Sequence, residues 1–179
     1  MIQLPSRLRI RVITVALFLA TAAGTSMATG RIELQGGRSY MHDAGAATLF
    51  VEGTLAEHSI GSSRFTWTPD FSVGWIDGRN MPRYRRARYT TSDPIWLAAG
   101  GARFRLGTGS DWYHALFFSF QPALHAGRTQ ALSSVYEFVS TLGWQGRVAS
   151  IQVRHISNGS LHQPNCGETM VLLGVRLPP

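Results

Sequence analysis

Lysine is missing from this chain of 179 residues: all 17 of its basic residues are arginine. Cysteine occurs once, which excludes an internal disulfide framework and a cysteine-built zinc site. Charged side chains are scarce at 15%, against roughly 25% in soluble globular chains. Past the N-terminal region no run of about 18 apolar residues occurs, so no internal transmembrane helix is expected. Acidic residues number only 10, and the resulting net charge of +7 invites a nucleic-acid reading. Apolar types reach 44%, too many for a disordered chain, and the length suits one domain.

Three of the arginines stand at the extreme N-terminus. Arg7, Arg9 and Arg11 precede the uncharged run Val12 to Ala23, and Ser26 and Ala28 then form a small-residue site. That order of parts is a secretory signal. The expected division is a signal peptide over 1–28 and a single domain over 29–179. An uncleaved membrane anchor is the alternative, for which the apolar run is short. Export takes three arginines away with the signal and makes nucleic acid a poor partner.

What the rest of the chain does have is alternation with period two. Along Ser62 to Trp75, Phe65, Trp67, Phe71, Val73 and Trp75 alternate with Arg64, Thr66, Thr68, Asp70 and Ser72. The same pattern covers Ala46 to Leu55, where Phe50 is an exception, and Pro94 to Leu106, where Arg103 and Arg105 share the polar face. Trp112 to His125 and Leu132 to Trp144 repeat it. Such segments are strands with one apolar and one polar face. A weak strand near Arg31 to Tyr40 and two at the C-terminus, Arg147 to Ser157 and Thr169 to Leu177, bring the count to about eight.

An all-β chain of this kind is a barrel or a sandwich. Strand lengths of about 10 residues and aromatics near strand ends favour an eight-stranded antiparallel transmembrane barrel, with arginine and acids turned into the lumen. Glu137 is an expected lumen partner for Arg154 or Arg103. Short turns near Glu57 to Gly61, Thr108 to Asp111 and Gln145 to Gly146 fall on one side; long connections, Asp77 to Asp93 and Asn158 to Glu168, fall on the other. Short turns in the periplasm and long loops outside describe an outer-membrane barrel. A soluble lipocalin-like barrel or sandwich is the alternative.

The chemistry concentrates between Arg154 and Glu168. Ala149, Ile151 and Val153 form the apolar face of a strand, and His155 and Ser157 continue that series. Alternation therefore sets a histidine and a serine on the lipid-facing wall, about 6.6 Å apart along the strand. Polar groups are costly there, because hydrocarbon offers them no hydrogen bonds. A histidine near a hydroxyl is what activation of a serine needs. The bland alternative is that the strand has ended and both residues are solvated.

In this stretch, His155-x-Ser157-Asn158 followed by Gln163-Pro164-Asn165-x-Gly167 resembles the lipid A 3-O-deacylase family, the PagL-type outer-membrane esterases. The resemblance is close here and looser over the preceding strands. It implies an eight-stranded barrel that removes the ester-linked acyl chain at position 3 of lipid A, without a metal or other cofactor. Carried over by position, it makes Ser157 the nucleophile and His155 the general base. Asn158 and the N–H groups around Gly159 become oxyanion donors, with Asn165 holding the loop. The family's acid falls at the position of Thr169, whereas the only nearby carboxylate is Glu168, one residue earlier. Glu168 is the expected orienting acid, provided that an irregular strand start turns it towards His155.

Strand seven runs outward in this threading, so Ser157 meets the outer leaflet. The loop Asp77 to Asp93 lies on the same side and carries Arg79, Arg83, Arg85, Arg86 and Arg88. Guanidinium forks suit phosphate, which makes Arg83, Arg85 and Arg86 candidate contacts to the phosphates of lipid A; a solvated basic loop is the alternative. The implied partners are lipopolysaccharide and outer-membrane lipids, and a homodimer is compatible with them. A non-enzymatic barrel of structural or adhesive role competes with the esterase. His42, His58, His114 and His125 are too scattered for a metal site, and Cys166, Ser160 and His162 are loop residues.

Overall fold

The computed structural model describes residues 30–178, so the expected signal lies outside the described residues. Eight long strands follow in order: β1 Arg31–Met41, β2 Ala44–Thr54, β3 Phe65–Ile76, β4 Ile95–Leu106, β5 Leu116–Ala126, β6 Tyr136–Gln145, β7 Ala149–Ser157 and β8 Glu168–Arg176. Each pairs antiparallel with the next, and β8 pairs back onto β1, so the sheet closes into a barrel. A two-residue extension, His58–Ser59, pairs with Trp67 and Thr66 of β3. Closure removes the open edges that an exposed sheet would carry.

Alternation sorts the side chains as the sequence pattern predicts. On β3, Phe65, Trp67, Phe71 and Val73 are exposed, while Thr68, Asp70 and Ser72 are buried inside. The same division holds along β5, β7 and β8. The outside is thus a largely apolar surface and the inside is polar, the reverse of a water-soluble domain. Phe50, the exception on β2, points into the lumen. There its ring lies 4.6 Å from the Arg154 guanidinium, and a Cβ at Gly74 would collide with it.

Side chains fill the lumen. Arg103 donates to Asp70 at 3.2 Å and pairs with Glu52, which Arg154 also engages, so one carboxylate serves two guanidiniums. Ser119 donates to Asp70 at 2.7 Å, and Arg103 also stacks 3.9 Å over the Phe117 ring. Buried charges are tolerated only when paired and hydrogen-bonded in this way. Glu137 departs from its expected role. It accepts from Ser134 at 2.8 Å and lies 3.5 Å from Nε2 of His125, because Glu52 and Asp70 already occupy the arginines.

Two expected strands begin later than the alternation implied. Trp112–Ala115 forms a turn of 3-10 helix before β5, and Thr129 to Ser134 is drawn into the mouth of the barrel as a buried cap. The cap ties the long loops together. Arg79 donates its N–H to Thr91, Gln130 donates its to Thr90, and Cys166 and Gly167 donate theirs to Gln130 and Ala131.

Candidate active site

Ring closure brings the end of β7, the start of β8 and the end of β1 side by side. Register places Ser140 opposite His155, His155 opposite Thr169, and Thr169 opposite Tyr40. All four positions face outward, as do Ser157 and Arg38 at the diagonals. Elsewhere on the outward face of the strands, the described residues are apolar or small. One contiguous polar patch therefore interrupts the apolar wall. Four strands contribute to it.

His155 and Ser157 stand on one face of β7, two residues apart. His155 is exposed and Ser157 half-buried. Nδ1 of His155 lies 2.9 Å from the hydroxyl of Thr169. A proton on Nδ1 donated to that hydroxyl leaves Nε2 unprotonated, and an unprotonated Nε2 can take a proton from a serine. Thr169 is thus the group that orients the imidazole. The resemblance marks this position as the place of the family's acid, and a hydroxyl stands there instead.

Glu168 does not orient His155. Strand β8 starts without a bulge, so Glu168 pairs with Ile156 and points into the lumen. Both of its carboxylate oxygens accept from Arg79 at 2.9 Å, and Ser39 donates to it as well. Period two sends neighbours to opposite faces, and a regular ladder leaves no way around that. Arg79, expected in the exposed basic loop, is correspondingly buried as the partner of this carboxylate.

Asn158 also departs from its expected role as an oxyanion donor. Its side chain is fully buried and donates to Ser134 at 3.3 Å and to the carbonyl of His162 at 3.0 Å. Its backbone N–H donates to Oδ1 of Asn165 at 3.3 Å. Asn158 and Asn165 together hold the loop that leaves β7. Gly159 and Ser160 follow with φ of 63° and 64°, and Leu161 donates back to the carbonyl of Asn158 at 3.2 Å. This left-handed pair forms a tight turn and leaves the N–H of Gly159 without a partner among the described residues. His162 accepts or donates at Nδ1 with Ser133, 2.8 Å away, and so serves the cap.

The other arginines of the Asp77 to Asp93 loop lie at the same end of the barrel as the patch. Arg83 pairs with Asp43 in the β1–β2 turn at 2.9 Å, and Arg79 holds Glu168 at the start of β8. These contacts lay the arginine loop across the outer ends of β1 and β8. Arg85 and Arg86 are exposed there, and Arg88 stacks 5.2 Å from the Tyr89 ring.

Among solved structures, that of the outer membrane enzyme PagL is similar to this chain, with a TM-score of 0.57 and 16% identity. The likeness covers 83% of this chain and 99% of that one. No family model matches the sequence, and no curated protein matches it. The likeness establishes a shared barrel fold.

Proposed function

We propose that the protein is an outer-membrane esterase that removes the ester-linked 3-hydroxyacyl chain at position 3 of lipid A. The observation that carries this reading is the polar patch of His155, Ser157 and Thr169 on a wall that is otherwise apolar. Uncompensated polar groups against hydrocarbon are costly, so a cluster of them marks a site of function. The filled lumen supports an exterior site as well, since a lipid can reach the wall laterally but cannot enter the barrel. The likeness to the enzyme PagL supports the same reading.

In the mechanism, Nε2 of His155 removes the proton of Ser157 as its oxygen attacks the ester carbonyl. The N–H of Gly159 stabilises the oxyanion of the tetrahedral intermediate. His155 then gives the proton to the sugar oxygen as its bond to the acyl carbon breaks, leaving an acyl group on Ser157 and a free sugar hydroxyl. Water, deprotonated by His155 in turn, releases the fatty acid. Thr169 keeps the imidazole in the tautomer that both steps need.

The reading includes export by the segment 1–28, a barrel over 29–179, and a site at the outer leaflet, where lipopolysaccharide resides. Lipid A mass spectrometry of cells expressing the wild type or Ser157→Ala tests it. The wild type is expected to lower the mass of lipid A by one 3-hydroxyacyl chain, and Ser157→Ala to leave it unchanged. Deacylation by Ser157→Ala sinks the assignment. Unaltered lipid A in cells with folded wild type favours the non-enzymatic barrel instead.

A further inference from the structure

Among the described residues, the wall presents one charged side chain to the outside: Arg38, on β1. Nothing in the barrel requires a charge there. Its flanking positions on the same face are Gly36 and Tyr40, and its cross-strand partners are Ala47 and Val171. It has no carboxylate partner among the described residues; the nearby Asp43 is taken by Arg83. An arginine on a lipid-facing wall is destabilising, the more so the deeper it lies.

The side chain has a defined course. A Cβ built on Gly45 would stand 3.0 Å from Nη2 and 3.1 Å from Nε of Arg38, and 3.1 Å from the Tyr40 ring. The guanidinium therefore lies over the bare backbone of Gly45, beside Tyr40. Gly45 pairs with Tyr40, two register steps closer to the outer end than Arg38 itself. The head group is thus carried up the wall towards the headgroup region, as long basic side chains do in membranes. Tyr40 is in turn opposite Thr169, the partner of His155. The two sides of the patch are an unpaired guanidinium fork on β1 and the histidine–serine pair on β7, two strands apart.

We propose that Arg38 binds the phosphate of a lipid headgroup and so seats the lipid whose acyl ester lies at Ser157. The planar fork matches two phosphate oxygens at once, and a phosphate at that depth removes the cost of an unpaired charge against lipid. Through Gly45, Tyr40 and Thr169 the Arg38 head group shares the register row of His155, so a single lipid molecule on the wall meets both. The seating of the scissile ester rests on the esterase reading; the phosphate contact stands without it.

Two measurements separate these parts. Binding is measured with Ser157→Ala barrels in detergent micelles, by native mass spectrometry, using phosphorylated lipid A, enzymatically dephosphorylated lipid A and inorganic phosphate. Phosphorylated lipid A is expected to bind about tenfold more tightly than the dephosphorylated form. Adding Arg38→Gln abolishes that preference, and inorganic phosphate does not compete. Equal binding of the two lipids, or a preference that survives Arg38→Gln, overturns the proposal. Competition by inorganic phosphate overturns the assignment to a lipid headgroup.

Turnover is then compared in barrels that retain Ser157. Arg38→Gln is expected to raise KM for phosphorylated lipid A about tenfold with kcat preserved, and Arg38→Lys to recover part of the loss. A fall in kcat on both lipids would mark a structural role and overturn the proposal. Because the binding assay uses a barrel without the nucleophile, absent wild-type turnover counts against the esterase reading alone.

Discussion

Gly167 lies against the imidazole of His155: a Cβ built on it would stand 2.9 Å from Cε1 and 3.4 Å from Nε2. Its φ of 69° is in the left-handed region, and its N–H donates to Ala131 at 3.1 Å. The loop before β8 therefore packs on the ring edge that must receive the serine proton. Gly167→Ala is expected to displace the ring and cut kcat by at least about tenfold. Gly159→Ala provides the contrast. Its φ is 63° but its Cβ would meet nothing closer than 3.9 Å, so backbone strain of about 1–2 kcal/mol acts alone there. Lipid A deacylation by the two purified variants, with thermal unfolding alongside, checks both.

The bond between Thr169 and His155 makes a second prediction. Thr169→Val keeps the shape of the side chain and removes the oxygen that holds Nδ1. Loss of such an orienting partner is expected to lower kcat about 10- to 100-fold, by analogy with the partners of metal-bound histidines. KM should barely move, and Thr169→Ser should restore the rate. Steady-state kinetics on the three proteins decides it; a Val variant with the wild-type rate would remove Thr169 from the mechanism.

Glu168 and Arg79 have the opposite profile. Both are buried, and the carboxylate is the guanidinium's bidentate partner. Glu168→Ala strands the arginine and is expected to cost about 3–5 kcal/mol, read from urea unfolding in lipid vesicles. The rate per folded barrel should stay near that of the wild type. A drop matching that of Thr169→Val would return Glu168 to the site.

The lumen cluster predicts non-additivity. Glu52 serves both Arg103 and Arg154, so Glu52→Gln leaves two buried guanidiniums short of charge. It should destabilise more than Asp70→Asn, because Asp70 is engaged by Arg103 and Ser119 only. The double variant is expected to depart from the sum of the singles by about 0.5–3 kcal/mol, as members of one network do. Equal losses from the two single variants would contradict the sharing.

Much of this was legible in the chain. Alternation located eight strands and the faces of all but the first, including the outward His155 and Ser157; Phe50, an exception to the pattern, points inward. Where strands began was less legible. Leu132 to Ser134 reads as the start of a strand but is recruited by the mouth of the barrel, a tertiary demand on an otherwise suitable segment.

By itself the sequence determined which residues share the outward face of a strand and which share the lumen face, because a period of two is a property of each strand alone. Partnership was decided only by the tertiary structure. The one-residue difference between Glu168 and Thr169 gave the lumen a salt bridge and His155 a hydroxyl, and only the bulge-free start of β8 settled that. Arg38 and Tyr40 are more than a hundred residues from His155 in the chain and come beside it only because β8 closes onto β1. Register between strands and closure of the ring depend on every hairpin at once, and no local pattern encodes them.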